Sequence, residues 1–384
     1  MKRLIGGILL IAALLVLIFC GDNSREAIKE NRIYQALAHE KFGPLDSSKR
    51  LHIIVGLDYI PYELIEMFEY ITGIKVVVDI FDTNEILEAK LLAGGAQYDI
   101  VFPTAWPSFS RQLGAGIFQK LDKTRVDTKI FDKNIMKKLA RYDHNNEYCL
   151  PFQFGISGIG INEKMVDGIM ENAPKNSLAL IFDPEIVKKL SKHRVAIYDS
   201  PDELFPAVMV YLGLDPESEN PEDTKKAAEH LKKIRPYISK FTEFGFEDLA
   251  SDNVCATLSS TSGDIYRVSV DNKKPHIKFF CPKEGASLWV DVVAIPSNAR
   301  NVNNAYAFLK FLFHPMVIAE VTNLTSRANA VEGADKYVDK TLLKNESIYP
   351  SSDLRKRCYI ENIAPPLIEI LRTRLLTKIK SMED

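Results

Sequence analysis

The order of short apolar runs between residues 51 and 103 limits the fold more than any other feature of the chain. LHIIVGL, from residue 51, is β-branched and bounded as a buried strand is. PYELIEMFEYITG follows with Leu64, Ile65, Phe68 and Ile71 at helical spacing, Pro61 in the first turn and Gly73 as the stop. IKVVVDIF predicts a second strand, DTNEILEAKLLAGG a helix capped by Thr83 or Asn84 and ended by two glycines, and YDIVFP a third strand. A further helix is predicted to open at residues 108–113. Strand, helix, strand, helix, strand calls for parallel strands with helices on both faces, an α/β architecture whose ligands sit off the carboxyl ends of the strands.

The pattern then repeats. Strands are predicted near residues 158–162, 193–198 and 254–258, and helices near 184–190, 202–212 and 223–234. This predicts a second lobe, with the chain returning to the first after Pro275. A length of 384 residues, 46% of them hydrophobic, supports roughly two domains. Basic residues number 49 and acidic ones 51, so no global basic field invites nucleic acid.

The N-terminus differs in kind. Lys2 and Arg3 precede an apolar run over residues 4–19 and then Cys20, which is an export-signal pattern too short for an ordinary spanning helix of about 20 residues. LIFC, ending at Cys20, resembles a bacterial lipoprotein box, although Phe19 stands where a small residue is usual. That resemblance implies an acylated Cys20 as the new N-terminus; an uncleaved membrane anchor is the alternative. Residues 21–50 are polar, carry a possible short helix over 25–39, and read as a tether. The remaining cysteines, Cys149, Cys255, Cys281 and Cys358, form no CxxC pair, and the seven histidines lack metal-ligand spacing, so neither a metal nor a cofactor is expected.

GASLWVDVVAIP, residues 285–296, sets one carboxylate inside an apolar strand. Residues two apart share a face of a strand, so Trp289 and Asp291 look out together, an indole and an acid that suit a cation. On the residues alone Asp291 reads equally as a structural acid bonded to backbone amides. Glu203, in the first turn of a predicted helix, suits the helix dipole whatever its role, and Asp264 could simply cap the helix beginning at Ile265. GISGIG at 155–160 fits neither a nucleophile elbow nor a dinucleotide loop and is read, with PFQFG at 151–155, as hinge. The basic, amphipathic LRTRLLTKIK near the C-terminus is read as a helix packed on the second lobe.

The runs TGIKVVVDIFDTNEILEAKLLAGGAQYDIVFPT, FQKLDKTRV, DSPDELFPAVMVYLGLDPES, PKEGASLWVDVVAIPSNARN and IYPSSDLRKR closely resemble the bacterial polyamine-binding proteins of ATP-driven importers, and most of all the putrescine-binding type. The resemblance implies a two-lobed periplasmic binding protein of type II, each lobe a mainly parallel sheet with helices on both faces and the ligand in the cleft between lobes. Lobe 1 would comprise residues 51–152 and 276–325, and lobe 2 residues 153–275 and 326–384, after a signal peptide over 1–20 and the tether over 21–50. It also implies a monomer held to a membrane by Cys20, outside the cytoplasm, handing a polyamine to importer permease subunits. Carried over position by position, the ligand-binding set is Asp58, Tyr59, Thr104, Glu203, Asp264, Trp289 and Asp291.

Four residues at three places depart from the family. Gly56 and Leu57 replace a Trp-Ser pair, Thr261 replaces a tryptophan that stacks on the ligand, and Arg327 stands where an aromatic residue is usual. The acids are kept while rings are lost. Arg327, if it faces the pocket, neutralises one of the two acids that a diamine leaves in excess among the four. A guanidinium also forks well onto a carboxylate, so spermidine or another amine-bearing ligand such as a basic amino acid is the alternative to putrescine. An enzyme built on Cys149 and His144 is the reading from another class, without a third catalytic member or an oxyanion hole in view.

Overall fold

The computed structural model describes residues 28–94, 97–360 and 364–382. Its strands are β1 (Arg50–Gly56), β2 (Lys75–Phe81), β3 (Ile100–Val101), β4 (Cys149–Asn162), β5 (Val195–Ile197), β6 (Lys240–Phe241), β7 (Ala256–Thr261), β8 (Ile277–Phe280), β9 (Leu288–Ala294) and β10 (Ala328–Asn329). They form one sheet in the order β2-β1-β3-β9-β4-β7-β5-β6, with β8 and β10 also paired to β4.

Local sequence explains the two flanks. Helix Tyr62–Thr72 carries the chain from β1 to β2 and ends at Gly73, whose φ of 69° is a left-handed stop. Helix Asn84–Leu92 leads on toward β3, and Thr83 accepts a hydrogen bond from the Ile86 amide as its cap. β1 therefore runs parallel to both β2 and β3, as the order of elements predicts. On the other flank β5 is parallel to β6 and β7. Between the flanks lies β4, fourteen residues long and antiparallel to its neighbours. Residues 149–156 of β4 pair with β9, and residues 157–162 pair with β7 and β8. A single strand thus belongs to both lobes, where the sequence showed only a short hinge and a separate strand near 158–162.

Each lobe has its own core. The first gathers Leu51, Ile53, Phe68, Phe102, Phe152, Val292 and Phe308, and the second Ile161, Phe182, Leu204, Leu231 and Leu258. Three boundaries move from where the sequence placed them. Residues 28–50 are no free tether, because helix Arg32–Leu37 and the loop after it bury Ile33, Leu37 and Phe42 in the first core. β8 belongs to the second lobe, since it pairs with the far half of β4 and Ile277 packs among Leu249 and Ile265. Residues 328–360 belong to the first, where Val331, Leu342, Ile348 and Leu354 are buried. Only helix Pro366–Ser381 returns to the second lobe, burying Leu376 and Ile379 there. The acylation site assigned to Cys20 lies outside the described residues.

Candidate functional site

A cleft opens between the lobes at the carboxyl ends of the parallel strands, where the first and second flanks face one another. It has two joined compartments, of about 610 and 420 Å³, which share Asp82, Thr83, Asn84, Glu243 and Phe244. Both volumes lie within the range of small-ligand pockets. Tyr59 follows β1, Asp82 follows β2, and Thr104 follows β3. From the other lobe, Glu203 sits in the first turn of the helix after β5, Glu243 just after β6, and Asp264 in the first turn of helix Ser262–Asp271 after β7.

Asp291 lies on the floor between the lobes and is only 2% exposed. The Thr104 hydroxyl donates to its Oδ1 at 2.8 Å, and the Tyr59 hydroxyl donates to the same carboxyl group. Thr104 is itself fixed by Asn84, which donates from Nδ2 to the hydroxyl at 3.0 Å and accepts from the Thr104 amide at 3.1 Å. Burial nevertheless wins and pushes the Asp291 carboxyl up to about 6, against the lowering effect of both hydrogen bonds and of the Arg327 charge. Asp291 is therefore bonded to side chains from two other elements. The backbone-capped acid that the sequence also allowed is not what the strand holds.

Arg327 lies over the Tyr59 ring with its guanidinium carbon 4.9 Å from the centroid, and Nη2 donates to Asp264 Oδ1 at 3.1 Å. Asp264 also accepts from the Thr261 hydroxyl at 2.6 Å, while Thr261 caps the helix by accepting from the Asp264 amide. The helix cap is Thr261 and not Asp264, which sits in the first turn and lines the cleft. Tyr59 can occupy its place because residue 56 is glycine: a Cβ there would stand 2.7 Å from the ring. Asp58 points elsewhere. It sits at the rim with φ of 56°, its side chain 62% exposed and paired with Arg267 at 3.6 Å.

The larger compartment holds the second group of acids. Glu203 and Glu243 both line this compartment, and burial raises the Glu243 carboxyl above its ordinary value. Glu243 is held by the Asp199 and Ser200 amides at 2.9 and 2.7 Å. Rings surround this pair: Trp289 lines the compartment, as do Trp106 and Tyr142, stacked at 6.0 Å, and Phe244 from the second lobe. The indole of Trp289 fits against the crossing strand because residue 155 is glycine; a Cβ there would meet the ring at 2.4 Å.

The charge balance of the cleft is one-sided. Among the described residues no lysine lines either compartment, and the three arginines are engaged, Arg111 with Glu88, Arg267 with Asp58 and Asp271, and Arg327 with Asp264. Carboxylates dominate what is left. No group of three or more His, Cys, Asp or Glu side chains among the described residues is placed to hold a metal ion.

A two-lobed molecule with an acid-lined cleft at the strand ends is matched by the model of the bacterial extracellular solute-binding proteins over residues 63–346. The chain belongs to the bacterial extracellular solute-binding proteins. It is 40% identical over 342 residues, 87% of this chain and 92% of the relative, to the putrescine-binding periplasmic protein SpuD of Pseudomonas aeruginosa. To the putrescine-binding periplasmic protein PotF of Escherichia coli it is 39% identical over the same shares. Its fold matches the spermidine/putrescine transporter substrate-binding protein PotD of Streptococcus pneumoniae, with a TM-score of 0.75 at 23% identity over 86% of this chain and 98% of that one.

Of the acids named from the sequence, Asp58, Glu203 and Asp264 line the cleft of this solute-binding protein and Asp291 lies behind Thr104 and Tyr59, while several lining residues were missed. Glu243, Asp82, Trp106, Tyr142 and Phe244 all line the cleft and were not foreseen. A signal for one of them was present, since Asp82 directly follows the strand predicted at IKVVVDIF. The enzymatic alternative has no support in this solute-binding protein. Cys149 is fully buried beside Asp143, and burial pushes its thiol well above the ordinary range, while His144 lies exposed on the turn before it.

Proposed function

We propose that this protein captures a polyamine, putrescine first among them, and delivers it to an ATP-driven membrane importer. The observation that carries the reading is the set of carboxylates delivered to one cleft from both lobes with no lysine beside them. An ammonium entering such a site exchanges water for charge-assisted hydrogen bonds, and ring faces cover the alkyl chain. Trp289 and Thr104 form walls, Glu203 and Glu243 accept an ammonium, and Asp264, Asp291, Tyr59 and Arg327 close the inner end, with Asp58 at the entrance. The identities to putrescine-binding relatives support the same ligand class.

The protein acts outside the cytoplasm as a monomer. A lipid on Cys20 would hold it at a membrane beside the permease subunits, and the lipoprotein-box pattern supports that anchor. Calorimetric titration of the purified protein with putrescine, spermidine and arginine tests the ligand class. Saturable heat with a polyamine is expected; heat with arginine alone would move the assignment to basic amino acids.

A further inference from the structure

The three places where this chain departs from its family are not separate losses. They form one connected arrangement. Gly56 leaves room for the Tyr59 ring, which no larger residue would. Tyr59 carries the Arg327 guanidinium over its ring, Arg327 pairs with Asp264, and Thr261 donates to the other oxygen of Asp264. Asp291 lies beneath, hydrogen-bonded to Tyr59 and within the electrostatic reach of Arg327. A ring face, two carboxylates and a hydroxyl are the components of a seat for a cation, and here the cation is covalently part of the protein. The Arg327 and Asp264 side chains are only 13% and 16% exposed, so the pair is screened little by water.

A ligand ammonium brought to the same acids would meet a buried like charge with no room to separate from it. At the other end the cation among the described lining residues, Arg111, is paired with Glu88. Glu203 and Glu243 line the larger compartment together with Trp289 and Phe244, two carboxyl groups beside ring faces that suit an entering ammonium. Resting on the amine-binding reading above, we infer that Arg327 is a built-in cation occupying the inner ammonium seat, so that the cleft reads a single ammonium on its ligand, at the Glu203 and Glu243 end. Arg327 is then a specificity-determining residue, which makes the site tolerant of what the far end of the ligand carries.

The test compares putrescine with butylamine, the same four-carbon chain with one ammonium, by calorimetric titration of the wild-type protein and of Arg327→Met. The wild type is expected to bind the two amines within about fivefold of each other, because the inner seat already holds the Arg327 cation. In Arg327→Met, Asp264 and Asp291 are left without their cation, and putrescine is expected to gain about tenfold or more over butylamine. A wild-type preference for putrescine of about a hundredfold overturns the inference without any variant, and so does an unchanged ratio in Arg327→Met. Absence of heat from both amines with both proteins removes the amine-binding reading and this inference with it, whereas a large putrescine preference removes this inference alone.

Discussion

Thr104 and Asp291 meet where the end of β3 bridges to β9, with the threonine hydroxyl donating to the buried carboxylate at 2.8 Å. The acid is thereby held at the contact between β9 and the end of β3, the strand that feeds the cleft. Its folded-state value of about 6 lies above the ordinary 3.8 because burial outweighs the bonds from Thr104 and Tyr59. The folded protein therefore holds this proton more tightly than the unfolded chain does. Its contribution to stability is fully present below about 4 and is lost as pH rises toward 6, by about 3 kcal/mol across the window. Thermal melting of the ligand-free protein between pH 4 and 7 should show that falling component in the wild type and not in Asp291→Asn. Parallel profiles for the two would contradict it.

The raised Glu243 carboxyl ties ligand capture to pH as well. An ammonium favours its ionised form, so a proton should leave on binding where Glu243 is protonated, and affinity should rise as pH rises through the elevated Glu243 value. Titration in buffers of different ionisation enthalpy counts that proton. Glu243→Gln should abolish the release and weaken amine binding by about tenfold, roughly one charge-assisted hydrogen bond.

Both tryptophans of the chain, Trp106 and Trp289, line the larger compartment. Intrinsic fluorescence should therefore report ligand entry directly, and Trp289→Phe should remove much of the change. Gly155→Ala should act on the same indole, since the added methyl lands on the ring; displaced packing of this kind costs about 1–3 kcal/mol. A Gly155→Ala protein with normal melting and normal fluorescence response would show that the indole has another place to go.

Phe42 gives a test far from the cleft. It packs edge-on to Phe68 at 6.5 Å and against Phe311 at 6.4 Å, although it belongs to a segment that looks like a polar tether. Phe42→Ala should cost about 3 kcal/mol or more in chemical denaturation, as core truncations do, with ligand affinity unchanged. A neutral result would restore the tether.

The legible parts of the fold were those written in local periodicity. Helix Tyr62–Thr72 and the parallel strands on either side follow from spacing, caps and glycine stops. Residues 28–50 misled because a few apolar side chains, Ile33, Leu37 and Phe42, are diluted among charges, and only tertiary packing reveals that they share one core. The segment 328–360 misled because sequence distance carries no record of which lobe a returning chain meets. In the site, Asp291 was legible as an acid out of place in an apolar strand. Glu243 was not, because β6 before it is two residues long and leaves no strand signal to count from. The linkage among Gly56, Tyr59, Thr261 and Arg327 could not be read at all, for it exists only once three separate segments touch.

The continuity of β4 has a mechanical consequence. Its amides are engaged on both sides of the waist, first with β9 and then with β7 and β8, and the ladder slips register between Gly158 and Gly160. Rotating one lobe against the other cannot simply swing about a slack joint; it must wind or unwind a laced ribbon at that slip. Trp289 is pressed onto the same ribbon at Gly155, so a torque applied at the lobes is delivered to the wall that a solute touches.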